Sequence, residues 1–276
     1  MTVHLAESGV LDVAGQSLEY RTFGARDASF TLVLLHEGLG SITTWGEFPA
    51  ALAARTSTNV LVYSRGGYGH SSPVALPRPL DYMRREATQV LPQLLGAIAF
   101  ERGILVGHSD GASIATIYAG SVEDHRIAGL VVLAPHFFVE DMTVTEIARV
   151  GREYESSGLR ARLARHHRDV DASFRGWHDA WVDPQFRNFD IQDCLSYIRV
   201  PTLIVQGRED PYGTLRQVEA AQQLCTCPVE VVLLEGCGHS PQRERPAETL
   251  DAIASFAGHV MAADASSPPR AMLGAF

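Results

Sequence analysis

The run Ile104-Leu105-Val106-Gly107-His108-Ser109-Asp110-Gly111-Ala112-Ser113 compresses a strand, a tight turn and the start of a helix into ten residues. Ile104 to Val106 is a short apolar run of the kind buried in a sheet, and Ala112 to Ala119 carries the small and apolar side chains of a buried helix. Between them, glycines stand on both sides of Ser109. A turn this sharp holds its middle residue in a strained conformation and lifts that side chain clear of the sheet, while the glycines let the chain pass without clashing. The bare spacing G-x-S-x-G is common by chance. Its setting between strand and helix is what makes Ser109 a candidate nucleophile.

Upstream of this turn, Thr31-Leu32-Val33-Leu34-Leu35 and Val60-Leu61-Val62-Tyr63 are apolar without alternation, as strands covered on both faces are. Each empties into a glycine-rich loop: His36-Glu37-Gly38-Leu39-Gly40-Ser41 after the first, and Ser64 to Ser71 after the second. Nearer the N-terminus, Val10 to Val13 and Leu18 to Phe23 around Gly15 predict an antiparallel hairpin at a sheet edge. Apolar spacing predicts a helix through Trp45, Phe48, Leu52 and Ala53, and another from Tyr82 to Ile98 in spite of Pro92. Such alternation predicts the α/β class, with a mostly parallel central sheet flanked by helices and a ligand site beyond the carboxyl ends of the strands.

Downstream, Gly129 to Ala134 is a further strand, and after Pro135 the pattern changes. Residues 136–198 are polar, Arg-rich and helical in period, with no buried strand, and predict a helical cap inserted into the core. Trp177, Trp181 and Phe186 are its aromatic candidates to face a cleft, or else to pack cap onto core, and its arginines read as a solvated face. Gly151 and Gly158 would let it bend. Strand patterns resume at Thr202 to Val205 and Val229 to Leu234, with a helix over Leu215 to Leu224 between them and a closing helix from Pro246 to Met261. The core is therefore expected over residues 1–135 and 199–262, and the tail 263–276 reads as disordered.

Composition narrows the chemistry. A net charge of −9 argues against nucleic acid as a partner, and all 23 basic residues are Arg, so neither a lysine Schiff base nor a phosphate-loop lysine can occur. No run is long and apolar enough to span a bilayer and the first ten residues lack a leader pattern, so a cytoplasmic protein is expected. Cys194, Cys225, Cys227 and Cys237 are too few and too irregular for a disulfide framework or a zinc site and read as reduced thiols.

Serine needs a base to accept its proton, and the base needs a group to hold its tautomer. His239, in a glycine-flanked loop after a late strand, is placed to reach over the carboxyl edge, and Asp210 lies at the end of the preceding strand. Glu209 beside it and Glu140-Asp141 after the middle strand are the other candidate acids. An oxyanion would need donors already aimed at it: the backbone N–H of Asp110, whose carboxylate could cap the helix without conflict, and an N–H of the loop after Leu35, best that of Gly38. His36, Glu37, His136, Phe137, Trp177 and Trp181 are the candidate substrate contacts.

H-E-G-L-G-S with Trp45 behind it, G-Y-G-H-S at Gly67 to Ser71, G-H-S-D-G, Q-G-R-E-D and G-C-G-H-S together resemble the α/β-hydrolase superfamily from about Leu18 to Met261. The resemblance implies an α/β-hydrolase fold, a Ser109, Asp210, His239 triad, no metal or organic cofactor, and a cap that selects a small-molecule ester or lactone. One departure stands out. Most relatives in the family it resembles have His-Gly where this chain has His36-Glu37, so Glu37 either hydrogen-bonds into its own loop or meets a cationic group. The same loops, with A-P-H-F-F-V-E-D, resemble a bacterial group that includes serine-dependent macrolide esterases, which implies opening of a macrolactone bearing a protonated amino sugar. Simple carboxylesters, enol-lactones or a carbon-carbon bond are the alternative substrates on the same triad. A ligand receptor is the non-enzymatic alternative.

Overall fold

The computed structural model describes residues 6–25 and 28–266. Its first two strands, β1 (Ser8–Val13) and β2 (Gln16–Phe23), form the expected edge hairpin. The two-residue turn uses positive φ at both Ala14 (51°) and Gly15 (73°), which matches the right-handed twist of the paired strands. Six further strands follow: β3 (Thr31–Leu35), β4 (Asn59–Tyr63), β5 (Gly103–His108), β6 (Ile127–Leu133), β7 (Thr202–Gly207) and β8 (Val229–Leu234). The eight lie in the order β1-β2-β4-β3-β5-β6-β7-β8, parallel from β4 to β8. From β3 the chain goes out to β4 and then returns across β3 to β5. The loops leaving β3 and β5 therefore diverge in opposite directions, and a crevice opens between them.

Helices cover both faces. On one, α1 (Phe48–Thr56) packs Phe48 and Leu52 beside Ile253 and Phe256 of the C-terminal helix, over Leu34, Val62 and Val131. On the other, α2 (Tyr82–Arg85), α3 (Leu91–Ala97) and α4 (Asp110–Ser121) bring Leu94, Ile114 and Ile117 onto Val33, Leu105 and Val132. Each such side chain is worth about 1.5–3 kcal/mol of burial, so the two-sided apolar strands explain the sheet. The helix expected from Tyr82 to Ile98 is continuous but widened. A π-helical turn over Glu86–Val90 absorbs Pro92, which has no N–H to give to the preceding turn and whose ring crowds it.

Between β6 and β7 the chain is helical: α5 (Asp141–Ser156), α6 (Leu159–Leu163), α7 (Val170–Val182) and α8 (Gln192–Leu195). Its two ends are tied together by a single antiparallel bridge between Phe138 and Asp190, the one piece of extended pairing in a stretch expected to have no strand. Gly151, expected as a bending point, sits inside α5 with the His178 ring against it; a Cβ there would lie 2.2 Å from Nε2, so it is a close-packing residue. After β7 come α9 (Arg216–Leu224), then α10 (Pro241–Glu244) past β8, and α11 (Pro246–Ser266). A disordered tail was expected from residue 263, but α11 continues to Ser266; the rest of that stretch, 267–276, lies outside the described residues.

Candidate active site

β5 ends at His108 and α4 begins at Asp110, so a single residue, Ser109, makes the turn between them. Its φ of 52° and ψ of −117° lie in a region that side-chain-bearing residues rarely occupy. Steric room on either side permits it. A Cβ on Gly107 would sit 2.3 Å from the Gly111 carbonyl oxygen, and one on Gly111 would sit 2.1 Å from that of Leu35. The turn is locked by the N–H groups of Ala112 and Ser113, which both donate to the Ser109 carbonyl.

The loops after β7 and β8 bring the other two residues to this point. Ser109 Oγ lies 2.9 Å from His239 Nε2, and His239 Nδ1 lies 2.8 and 3.0 Å from the two oxygens of Asp210. A carboxylate only accepts, so Nδ1 carries the ring proton and Nε2 is left free to accept from Ser109. Gln206 Nε2 and the Tyr212 N–H also donate to Asp210, at 2.9 and 2.8 Å. Burial alone would raise the Asp210 carboxyl; the His239 ring and the Tyr212 N–H outweigh it and hold the group below the usual carboxylate range. The other candidate acids point elsewhere. Glu209 accepts from the Cys237 N–H, Asp141 pairs with Arg187 at the surface, and Glu140 accepts from Thr214 and Gln217.

His108, the residue before Ser109, supports His239 from behind. Its Nε2 donates to the His239 carbonyl at 2.7 Å, which leaves Nδ1 to accept from Gln242 Nε2 at 3.0 Å. The motif contained this histidine, but nothing in the spacing announced its partner 131 residues away.

The third part of the site is the loop after β3. Three N–H groups converge on the Glu37 carbonyl: His36 Nδ1 at 2.6 Å, Arg65 Nη2 at 2.9 Å and the Gly40 amide at 3.0 Å. In a planar trans peptide the N–H points opposite to the C=O, so the Gly38 N–H faces away from these three donors. Gly38 and Asp110 both line the pocket that holds Ser109. The Asp110 carboxylate is no helix cap. It accepts from Tyr82 Oη at 2.5 Å and Trp181 Nε1 at 3.2 Å, with Arg65 Nη1 3.8 Å away. The fully buried Arg65 guanidinium thus touches the peptide of one expected oxyanion donor and the side chain of the residue that supplies the other. Sequence inspection had assigned Arg65 no role.

With this geometry in hand, comparison with known proteins is direct. Residues 32–252 match the family described as "Alpha/beta hydrolase family". The chain belongs to that family. It is 26% identical over 273 residues to a proline iminopeptidase of Lactobacillus helveticus, an alignment covering 84% of this chain and 90% of that one. Among solved structures it is similar to the enol-lactonase from Burkholderia xenovorans LB400 (TM-score 0.71, 18% identity, 90% of this chain and 99% of that). It is likewise similar to a thermophilic esterase from Thermogutta terrifontis (TM-score 0.69, 18% identity, 92% and 99%). These last two likenesses concern the fold.

The hydrolase pocket over Ser109 is small, about 180 Å³, and the insertion roofs it with Ile147, Trp177 and Trp181. Trp177 presses on the oxyanion-side loop, since a Cβ on Gly38 would meet its Nε1 at 2.1 Å. His136 lines the pocket with its ring stacked 5.4 Å from that of His239. Burial first, and the His239 charge second, push its pKa down to about 3, so it is neutral at working pH. Tyr212, with its ring 4.5 Å from His239, lines the pocket too and was not anticipated.

Two of the expected substrate contacts are otherwise employed, and Phe186 takes the packing role of its two open readings. His36 is fully buried behind its loop, where its ring bonds Arg65 and the Glu37 carbonyl. Phe137 is buried in the core, and its N–H is held by Gln217. Phe186 stacks on Phe189 and Tyr82 as packing between insertion and core. Glu37 borders the pocket with its carboxylate 3.4 Å from His108 Nδ1 and folded back toward Gly40. Burial would raise this carboxyl, and the neighbouring His108 and His36 imidazoles outweigh it and bring it down to about 2, so it is ionised.

Proposed function

We propose that this α/β hydrolase is a serine-dependent hydrolase of carboxylic esters or lactones acting through an acyl-enzyme. The observation that carries the reading is the unbroken hydrogen-bond chain Asp210, His239, Ser109 on a strained turn beside an apolar-walled pocket. In the proposed cycle Ser109 Oγ attacks the carbonyl carbon while its proton passes to His239 Nε2. The oxyanion is held by the N–H groups of Gly38 and Asp110, and Asp210 stabilises the imidazolium. Collapse breaks the ester C–O bond, and the alkoxide leaves with the proton from Nε2. A water then repeats the attack on the acyl-enzyme and releases the acid. Every group needed is supplied by the chain, so the proposed chemistry uses no metal or cofactor.

The substrate is read as a small molecule, and the pocket of about 180 Å³ suits a compact acyl or lactone group. Ring opening of a macrolide, suggested by the loop motifs, would require most of the ring to lie outside this pocket. The identity to a proline iminopeptidase across most of the chain favours a second reading, cleavage of an N-terminal amide bond on the same serine. Both are tested together. Wild type and Ser109→Ala are incubated with aryl esters, small lactones, macrolides and amino-acyl amides, and products are read by mass spectrometry. Gain of one water on an ester or lactone with wild type alone is the expected result. Turnover of amides only would replace the ester reading, and equal turnover by Ser109→Ala would remove the nucleophile. A protein that turns over none of these and is not labelled at Ser109 by a fluorophosphonate would be a receptor rather than an enzyme.

A further inference from the structure

A second cleft, of about 700 Å³, adjoins the pocket over Ser109, and Glu37 and Leu39 line both. Its outer wall is α6 and the residues after it. This helix buries none of its five side chains, and its Leu159 and Leu163 face the cleft. The opposite wall is the core, with Trp45 and Phe48 beneath the start of α1. An amphipathic space of this size next to a much smaller reacting pocket is where the remainder of a substrate would extend.

The chain carries net −9, yet three arginines line this cleft, Arg162, Arg165 and Arg243, and among the described residues none of them meets a carboxylate within 4 Å, whereas Arg126, Arg149, Arg160, Arg187 and Arg208 elsewhere each do. Arg165 and His166 of the insertion line the cleft together with Arg243 of the core. Burial first, and then these two cations, hold the His166 pKa below the usual value, and its ring is pinned to the core by Thr43 Oγ1 at 2.8 Å from Nδ1. The carboxylates on the cleft are Glu47 and, at the seam with the pocket, Glu37, which lies 3.4 Å from His108 Nδ1. The field is therefore negative beside the reacting carbonyl and positive farther out.

We propose that this cleft is a substrate subsite for an apolar chain ending in a carboxylate, bound by Arg162, Arg165 and Arg243 while the ester lies over Ser109. The proposal rests on the ester-hydrolase reading and names its substrate class. Its sign is opposite to what a protonated amino sugar would need, so one assay separates the two. Three esters of the same acyl chain are compared, ending in a methyl, a carboxylate or a trimethylammonium group, with several chain lengths between.

Wild type is expected to favour the carboxylate over the methyl ester by about tenfold in kcat/KM, through KM, at the chain length that spans the two cavities. The preference is expected to shrink between low and 0.5 M salt, because exposed charges are screened within about 10 Å at 0.1 M ionic strength and within less above it. In R162Q/R243Q the ratio is expected to fall toward one, and in R162E/R243E to invert in favour of the trimethylammonium ester. These side chains are exposed, so the variants are expected to fold. A wild-type ratio at or below one, or a ratio that the variants leave unchanged, would overturn the subsite. If wild type hydrolyses none of the three and Ser109 resists a fluorophosphonate, the ester reading itself falls and takes this subsite with it.

Discussion

The two sides of the cavity over Ser109 are held by different forces. On the sheet side, backbone geometry does the holding: Ser109 sits at positive φ, and Gly107 and Gly111 have no room for a Cβ. On the insertion side, side chains do it. Trp181 and Phe186 pack ring against ring, and side-chain hydrogen bonds tie the segment to the core, among them Ser173 Oγ to the Gly67 carbonyl, the Gly69 N–H to His167 Nδ1, and Trp181 Nε1 to Asp110. A site built this way keeps its reacting atoms rigid and leaves its selectivity to packing that can change without touching them. The contrast predicts that substitutions on the sheet side lower kcat, and that those on the insertion side act on KM.

The largest effect is expected at the nucleophile. Ser109→Ala should lose about 10⁴-fold or more in kcat with an unchanged melting temperature. Residual activity within tenfold of wild type would mean that the sheet side does not carry the chemistry. Next comes Arg65, which should behave as a positioning residue. Arg65→Met is expected to lower kcat per titrated active site by about 10²-fold with little change in KM, the scale of losing one oxyanion donor, and Arg65→Lys should recover part of it. A loss confined to the fraction of active protein would instead mark Arg65 as structural.

The two sides can also be coupled deliberately. Gly38→Ala puts a methyl where the Trp177 indole lies and should cost about tenfold in kcat/KM, and adding Trp177→Ala should restore most of it. Independent, additive losses would show that the indole does not press on this loop. The smallest effect is on stability against acid. His36 and His136 are held below their ordinary value near 6.5, His136 to about 3, and Glu37 is held at about 2. The unfolded chain therefore binds more protons than the folded one through this range. For both histidines, stability should be complete above pH 6.5 and decline as pH falls below it, for His136 down to about 3; for Glu37, the loss runs from about pH 4.5 toward 2. Thermal melts that stay flat between pH 6.5 and 4 would contradict the burial of neutral imidazoles.

Legibility followed the same division. The turn at Ser109, the edge hairpin and the two-sided strands could be read because each depends on residues adjacent in the chain. Asp210 could not be separated from Glu209 that way, because neighbouring residues in a loop turn to different partners: one reaches His239 and the other the Cys237 N–H. His36 and Phe137 were misjudged for a related reason. Both follow strand ends that face the crevice, but their side chains turn inward to Arg65 and to the core. Arg65, His108 and Tyr212 left no local signal at all, since their partners are distant in sequence.

By itself, then, the order of residues determined the α/β class, the elbow with Ser109 at its tip, and His239 as its partner, since strand periodicity and glycine sterics act over a few residues. Only the tertiary structure decided which carboxylate faces His239, where Glu37 turns, how small the pocket is and which arginines stay unpaired. Those outcomes depend on side-chain packing between segments that no local pattern brings together.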